Sequence, residues 1–311
     1  MNRLLLRPVY HLMILLAGFP AFITAAAADE PRYKPFVLAQ TVDSTDLKQQ
    51  IDTVKQKLAA NGYQIIGEYT PYIDNHILVI TNDRLRKHAA RTEFGGYGAS
   101  QRVAFNKSGN RIQISHTNPV YMAHAYRMQS DLQDVRKQLA GILGYEQDFG
   151  ARLGLTAKAL RKYHYDFLMP YFTDHMNLAE YKTQQAAIDY IEKSLQGKNS
   201  TVKKVYRIDI PGKQETVFGV QFKGKDKDDC SSDDYIMSRV DFENFKATAH
   251  LPYEILISKG RVFALFAEFR IAISFPDLSM VGRRSFATII CAPSAIENSL
   301  IKVTGGTDEE Y

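Results

Sequence analysis

The sequence lacks the residue patterns that mark common catalytic sites. It contains no G-x-S-x-G, H-E-x-x-H or C-x-x-C motif, which argues against a hydrolase nucleophile elbow, a zinc peptidase and a redox-active dithiol. Gly95-Gly96-Tyr97-Gly98 follows a predicted basic helix and not a strand, so it does not fit a dinucleotide-binding loop. We therefore predict a protein without a cofactor that acts by binding rather than by catalysis.

The chain also lacks a strong excess of charge of one sign. Its 311 residues include 39 Lys and Arg and 34 Asp and Glu, which give a formal net charge of +5. Loss of residues 1–28 would remove Arg3 and Arg7 and no acid, leaving 37 basic against 34 acidic residues and a net charge of +3. Nucleic-acid-binding domains are much more basic, so we expect no nucleic-acid partner.

Cysteine is scarce, with Cys230 and Cys291 as the two examples in the chain. In an oxidising compartment they could form a disulfide, which would stabilise the fold by roughly 4 kcal/mol through its effect on the unfolded chain. Pairing cannot be deduced from sequence, so a disulfide and two free thiols both remain open.

The first 28 residues have the pattern of a signal peptide. Arg3 and Arg7 give a positive start, Leu12–Ile23 is apolar, and Ala26–Ala28 supplies small residues for cleavage before Asp29. An uncleaved membrane anchor is the alternative, although the apolar run is short for a span. No later run reaches spanning length. We therefore predict an exported bacterial protein of the periplasm, with no stable membrane span after cleavage.

Hydrophobic periodicity predicts an α+β fold of two tandem related domains, each a largely antiparallel sheet with helices packed on one face. The predicted organisation is a first domain over 29–144, a helical and aromatic connector over 145–181, a second domain over 182–304 and a loose tail over 305–311. Pro119 and Pro276 each end a predicted strand, so Arg261–Phe275 is expected to correspond to Arg111–His116.

The first half resembles the bacterial family called domain of unknown function 302 (DUF302). The similarity rests on Asn61-Gly62-Tyr63 at a helix end, the paired strands after it, and RIQISHTNP followed by VYMAHAY. It covers about a third of the chain. The resemblance implies a compact α+β domain that often self-associates, and no established activity. Many members carry Cys before the Asn-Pro step, where this chain has Thr117, so the resemblance implies no thiol chemistry there.

The strand-to-helix corner at Asn118-Pro119 is the first candidate site, because a helix N-terminus offers free N–H groups and a partial positive charge to an anion. The alternative is that Thr117 or Asn118 caps its own helix, and that the aromatic stretch Tyr163–Tyr171 packs the two domains together. The candidate ligand-binding residues are Ser115, His116, Thr117, Asn118 and Tyr121 at the corner, with His164 and Tyr165 from the aromatic stretch.

Three further features have a functional and a structural interpretation. His116 and His124 could ligate a soft metal or haem iron with nearby methionines, or the methionines could simply pack the core. The basic run Arg84–Arg91 could meet acidic lipid headgroups or be a solvated helix face. The acidic link Asp226–Asp234 lacks the Gly and Glu positions of an EF-hand, so we interpret it as a mobile charged loop.

These observations favour a non-catalytic exported module that binds a small molecule or a protein partner in the groove between its two domains, where pockets commonly form. Two alternatives stay open. One is a metal- or haem-associated protein or enzyme that uses His116 and His124. The other is a structural or assembly factor that self-associates, and a homo-oligomer would be compatible with the binding module as well.

Overall fold

The computed structural model describes residues 30–197, 200–226 and 228–306. The predicted signal peptide over 1–28 lies outside the described residues, as does most of the predicted tail. From Pro31 onward the chain forms one compact unit. It contains antiparallel sheets and helices, so the predicted α+β class is confirmed.

The first lobe is built on a six-stranded antiparallel sheet with the order β3-β4-β5-β6-β2-β7. Helix α1 packs against α4 and against the sheet, because Ile51, Val54 and Leu58 form one buried stripe on it. The elements in chain order are β1 (Arg32–Tyr33), β2 (Phe36–Asp43), α1 (Leu47–Ala60), β3 (Gln64–Tyr69), β4 (Asn75–Thr81), α2 (Asp83–Ala90), a 3-10 turn (Gly95–Gly98), β5 (Gln101–Ser108), β6 (Arg111–Thr117), α3 (Pro119–Ala125), α4 (Gln133–Leu143) and β7 (Gln147–Phe149).

The second lobe is built on a five-stranded antiparallel sheet with the order β10-β11-β12-β13-β9. Helix α6 begins at its predicted cap, since the Thr183 hydroxyl accepts a hydrogen bond from the Ala186 amide. The remaining elements are β8 (Leu155–Thr156), α5 (Ala157–Arg161), β9 (His175–Glu180), α6 (Gln184–Leu195), β10 (Val202–Asp209), β11 (Glu215–Phe222), α7 (Asp233–Val240), a 3-10 turn (Thr248–His250), β12 (Tyr253–Ser258), β13 (Arg261–Leu265), α8 (Ala267–Ser274), a 3-10 turn (Phe286–Ile289) and α9 (Ala292–Thr304).

The two lobes share one topology. Strands β9 to β13 follow one another in the second sheet in the same spatial order as β2 to β6 in the first. The second strand of each lobe carries a bulge, between Ile65 and Gly67 in one and between Lys204 and Tyr206 in the other. Helices follow the first, third and fifth strands in both lobes. The repeated element order in the sequence thus corresponds to a repeated arrangement in space.

Several predicted boundaries differ from the structure. The connector over 145–181 contributes a strand to each sheet, β7 and β9, so the second sheet begins before residue 182. Within the connector, helix α5 spans only Ala157–Arg161, and α7 begins at the end of the acidic link. The strand predicted over Arg261–Phe275 stops at Leu265, and α8 follows. Because α8 is buried almost all round, its sequence shows no helical periodicity and resembles a buried strand. The counterpart of Asn118-Pro119 is therefore Phe266-Ala267.

In each lobe, a short turn packs against the sheet of the other lobe. The Gly95–Gly98 turn packs on β11 and β12, and the Gly96 amide donates to the Glu215 carboxylate at 2.7 Å. The Thr248–His250 turn packs on β4, β5 and β6, and its Thr248 hydroxyl lies 2.9 Å from that of Tyr72. The glycine stretch is thus a buried contact between the lobes and not a flexible link.

A buried ion cluster lies where the lobes meet. Glu254 forms ion pairs with Arg102 and, at 3.0 Å, with Arg270. Arg270 also donates to the backbone carbonyls of His250 and Pro252 at 2.9 and 2.7 Å. All three charged side chains are at most 3% exposed. Burial raises the pKa of the Tyr126 phenol, but Arg270 and Arg102 lower that pKa by more. The cluster therefore consists of two cations, one carboxylate and a tyrosine whose pKa lies below its ordinary value.

Cys230 and Cys291 form a disulfide, which joins the segment before α7 to the start of α9. Among the described residues, Phe286–Thr304 is one segment whose length and composition alone would allow it to cross a membrane. In this structure α9 packs against α6 and β9, with Ile296 and Leu300 buried. Those apolar side chains are therefore part of the core of the second lobe.

Glu254→Gln is expected to lower the free energy of unfolding by about 3–5 kcal/mol, because it leaves Arg102 and Arg270 buried without a counter-charge. Arg102→Met should cost less, since the Arg270–Glu254 pair remains neutral. Urea unfolding measures both values. Glu68→Gln is the control: Glu68 lies on the surface with Lys55 and His76, and its loss should cost less than about 1 kcal/mol. Equal losses for the two glutamates would contradict the role of the cluster.

Replacing both Cys230 and Cys291 by Ser should lower the free energy of unfolding by roughly 4 kcal/mol, because the disulfide closes a loop with a sequence separation of 61 residues. Unfolding with and without a reductant measures the same loss in the unmodified protein. Stability that is unaffected by reduction would show that the disulfide adds nothing to the fold.

Candidate functional site

The Asn118-Pro119 corner is part of the core. The Asn118 side chain accepts a hydrogen bond from the Val120 amide at 3.2 Å and donates to the Lys34 carbonyl at 2.9 Å. The Thr117 hydroxyl donates to the Gln101 side chain at 2.8 Å. Both residues are at most 1% exposed. The corner thus has the capping arrangement that the sequence left open as an alternative.

The other corner residues are also buried. The His116 Nδ1 atom donates to the Thr117 carbonyl at 2.7 Å, and burial lowers the pKa of His116 to about 4. Ser115 and Tyr121 are buried, and their hydroxyls have no hydrogen-bond partner in the described part of the chain. His124 lies on α3 with its ring 5.6 Å from that of Tyr33. Among the described residues, no group of three or more His, Cys, Asp or Glu could hold a metal ion.

His164 and Tyr165 lie in the loop after α5. The Tyr165 hydroxyl donates to the Leu278 carbonyl, and the Tyr163 hydroxyl donates to the Ala272 carbonyl at 3.1 Å. His164 lies against Tyr171, with 4.5 Å between ring centroids. Nearby, the buried Phe172 ring lies about 6 Å from rings of both lobes. This part of the connector therefore packs the lobes together.

The charged runs of the sequence are mostly engaged. In the basic run, Arg84 and His88 both approach Asp134, at 3.4 and 3.3 Å. In the acidic link, Asp233 is buried and accepts a hydrogen bond from the Tyr69 hydroxyl at 3.3 Å, and burial raises the pKa of Asp233 to about 8. Neither run presents a uniform charged face.

A cleft of about 440 Å³ lies between the lobes. Its first wall is Gln147–Arg152, which comprises β7 and the loop after it. Its second wall is formed by residues between Val240 and Ala247, after α7, and by the stretch from Phe275 to Leu278, after α8. Lys34 completes the lining. The volume falls in the usual range for small-ligand sites.

Phenylalanines dominate the cleft. The Phe149 ring lies 5.8 Å from that of Phe245, across the two walls. The Phe242 ring lies 4.8 Å from the Arg284 guanidinium, and Phe275 packs 5.5 Å from His250. Aromatic side chains bring a large apolar area with few rotatable bonds. The cleft is therefore suited to an apolar group.

Gln113 of β6 holds the second wall in place. Its side chain donates to the Asn244 carbonyl at 2.9 Å and accepts from the Lys246 amide at 3.2 Å. Within that wall, the Asp241 carboxylate accepts from the Ala247 amide at about 3.0 Å. These bonds tie an irregular segment of one lobe to a strand of the other, so the wall has a defined shape.

The charges of the cleft fall into two groups. Three acids are engaged: Asp148 with Arg136 at 2.9 Å, Asp277 with the Arg152 amide, and Asp241 with the Ala247 amide. Burial also raises the pKa of Asp241 to about 7. By contrast, Lys34 and Arg152 belong to the cleft lining, and neither cationic side chain forms an ion pair or hydrogen bond with another described side chain. The exposed Glu243 is the remaining acid.

Sequence reasoning predicted a groove between the two domains but not the residues that line this cleft. Phe242 and Phe245 lie after α7, beyond the acidic link Asp226–Asp234 that we interpreted as a mobile loop. The available signal was a pair of phenylalanines three residues apart after an apolar helix, although a core position would give the same pattern. No family model matches the chain, and its comparison with curated proteins and with solved structures gave no match either. The resemblance to the DUF302 family stays a prediction.

Asp241→Asn should flatten the dependence of stability on pH. The folded-state pKa of Asp241 is raised to about 7 from an ordinary value of 3.8, so between these values the folded chain holds a proton that the unfolded chain has lost. The contribution of Asp241 to stability is therefore greatest below about pH 4 and is lost as the pH rises to 7. Buried Asp233 acts in the same direction, so the Asn variant should show a smaller fall and not a complete loss of it.

Urea unfolding of the parent and the variant at several pH values measures this slope. Asp43→Asn is the matched control, since Asp43 lies exposed at the end of β2. A slope unchanged by Asp241→Asn would contradict the buried, protonated state of this carboxyl group.

Proposed function

We propose that this protein is an exported, non-catalytic binding protein. Its cleft between the lobes takes a small amphiphilic anion with an apolar body and a carboxylate or phosphate head. The observation that carries the proposal is the pairing of four phenylalanines with two unpaired cations, Lys34 and Arg152, around one cleft of about 440 Å³.

The apolar part of the ligand would lie among Phe149, Phe242, Phe245 and Phe275. Each ring removes apolar ligand surface from water, which is worth about 25 cal/mol per Å² of buried area. The bonds from Gln113 fix the wall that carries Phe242 and Phe245. A pre-formed wall lowers the cost of ordering a segment on binding.

The anionic head would meet Lys34 and Arg152. A hydrogen bond between charged partners is stronger than a neutral one, and neither cation forms an ion pair with a described acid. Asp241 opposes an anion only when ionised, and burial raises its pKa to about 7. Binding is therefore expected to strengthen as the pH falls through that value.

Export is the second part of the proposal. It is supported by the signal-peptide pattern over residues 1–28 and by the Cys230–Cys291 disulfide, because disulfides persist in oxidising compartments. Production of the full chain in a Gram-negative host, followed by fractionation and intact-mass measurement, tests it. The expected product is periplasmic, begins at Asp29 and carries the disulfide. A cytoplasmic product of full length would contradict export.

The two alternatives from the sequence gain no comparable support. His116 has one ring nitrogen bonded to the Thr117 carbonyl and is 1% exposed, which favours a core role. For self-association, β3 and β10, at the ends of their sheets, pack against each other within the chain. Neither observation points to a metal centre or to an assembly surface.

Calorimetric titration with oleate tests the cleft. We expect saturable binding of one oleate per chain, weakened at least tenfold by Phe242→Ser with Phe245→Ser, since each ring contributes about 1.5–3 kcal/mol when buried. Arg152→Gln should weaken oleate binding about tenfold and leave binding of the corresponding alcohol unchanged. Tyr190→Ser is the control, because Tyr190 is an exposed aromatic residue on α6. An oleate affinity that is unchanged by the cleft substitutions would contradict the proposal.

A further inference from the structure

Three neighbouring loops carry large apolar side chains on the surface. They span residues 150–154, 163–169 and 279–285, and together we call them the apolar loop cluster. Phe167 and Leu168 are 83% and 88% exposed, Val281 is 76% exposed and Leu153 is 65% exposed. Exposed apolar groups of this size cost solvation free energy, and a contiguous set usually marks an interaction surface.

Contacts between their bases place the loops side by side. The Arg152 amide donates to the Asp277 carboxylate, which links the first loop to the segment that leads into the third. The Tyr165 hydroxyl donates to the Leu278 carbonyl, and the Tyr165 ring lies 4.7 Å from that of Phe286. The third loop is closed at its own base by the Phe286 amide, which donates to the Ser279 carbonyl at 2.9 Å. The bases are thus held while the tips remain exposed.

The backbone conformation of the second loop is energetically unfavourable at Leu168. Leu168 has φ of 70°, a left-handed conformation that favours Gly or Asn over an apolar side chain. Glycine at this position would remove both the backbone cost and the exposed side chain. Fold stability therefore does not explain a leucine here, whereas a requirement for an apolar tip does.

The cluster is also cationic. Residues 150–154, 163–169 and 279–285 include Arg152, Arg283 and Arg284 against the single acid Asp166. Arg283 belongs to Met280–Arg284, all of which is exposed. Apolar tips with a basic surround match an anionic bilayer, in which acyl chains lie beneath negatively charged headgroups.

We propose that the apolar loop cluster docks this protein on the surface of an anionic lipid bilayer. Phe167, Leu168 and Val281 enter the boundary between headgroups and acyl chains, and Arg283 contacts the headgroups. A protein partner would be expected to bury about 800 Å² on this side, whereas the basic residues beside the apolar tips favour an anionic bilayer.

Docking would bring the bilayer close to the cleft, because Gly150, Ala151 and Arg152 belong both to the cleft lining and to the first loop. The membrane proposal does not rest on ligand binding, since the tips themselves lie outside the cleft lining. The two proposals can therefore fail separately.

Co-sedimentation with phosphatidylglycerol vesicles tests the docking surface. The protein starts at residue 29, since the chain from Pro31 forms one compact unit. We expect binding to these vesicles, at least about tenfold weaker binding to phosphatidylcholine vesicles, and weakening by salt. Phe167→Ser combined with Leu168→Ser should reduce binding at least tenfold, and Arg283→Glu should reduce it severalfold.

Two matched controls distinguish the cluster from general surface effects. Ile73→Ser removes an apolar side chain that is 86% exposed on a distant loop between β3 and β4. Arg111→Glu reverses an exposed arginine at the start of β6. Both should leave vesicle binding unchanged, and urea unfolding of every variant should match that of the parent protein.

Three outcomes would overturn the proposal. The first is vesicle binding that survives the Phe167 and Leu168 replacements. The second is equal binding to anionic and neutral vesicles. The third is a parent protein that light scattering shows to be a dimer and that the same replacements convert to a monomer without vesicle binding in either form, which would assign the cluster to self-association.

Discussion

A buried ion cluster between the lobes constrains the rest of the structure. Glu254 is the single carboxylate between Arg102 and Arg270, and buried charges are tolerated only when their partners are held closely. Arg102 belongs to the first lobe, whereas Glu254 and Arg270 belong to the second, so the lobes must keep the relative position that maintains the Arg102–Glu254 ion pair. The Gly95–Gly98 and Thr248–His250 turns, each packed on the sheet of the other lobe, belong to the same close packing. The cleft between Gln147–Arg152 and the segment after α7 depends on it as well, because its walls belong to different lobes.

Much of the fold could be predicted from the sequence, where amphipathic periodicity was clear. Helices α1 and α6 bury one stripe of side chains, and their sequences show it. Helix α8 is buried on nearly every side, so its sequence has no polar face with helical spacing and suggested a strand. Strand β9 lies directly after an irregular aromatic stretch, from which its sequence is not set apart by a turn signal. Burial on all sides removes the periodicity on which such reasoning depends.

The candidate site was less predictable. Polar residues near Asn118 suggested a ligand, but in the structure His116 bonds the Thr117 carbonyl and Asn118 accepts from the Val120 amide. The cleft is formed by Phe149, Phe242, Phe245 and Phe275, which lie in three separate segments outside regular helices or at their ends. A phenylalanine in the core and one in a binding site look alike in sequence. Only the packing of both lobes brings these rings together around an open space.

The register of the two sheets has a consequence for how this protein could arise. Arg102 pairs with Val79, and Glu254 pairs with Gly219, one residue pair beyond the bulge in each lobe. The two charged residues thus occupy equivalent positions. In a symmetric dimer of identical chains, this position would face the same residue of the partner chain, so arginine would face arginine or glutamate would face glutamate. Joining two copies in one chain frees the halves to differ, so the central ion pair is a contact that a symmetric ancestor could not have made.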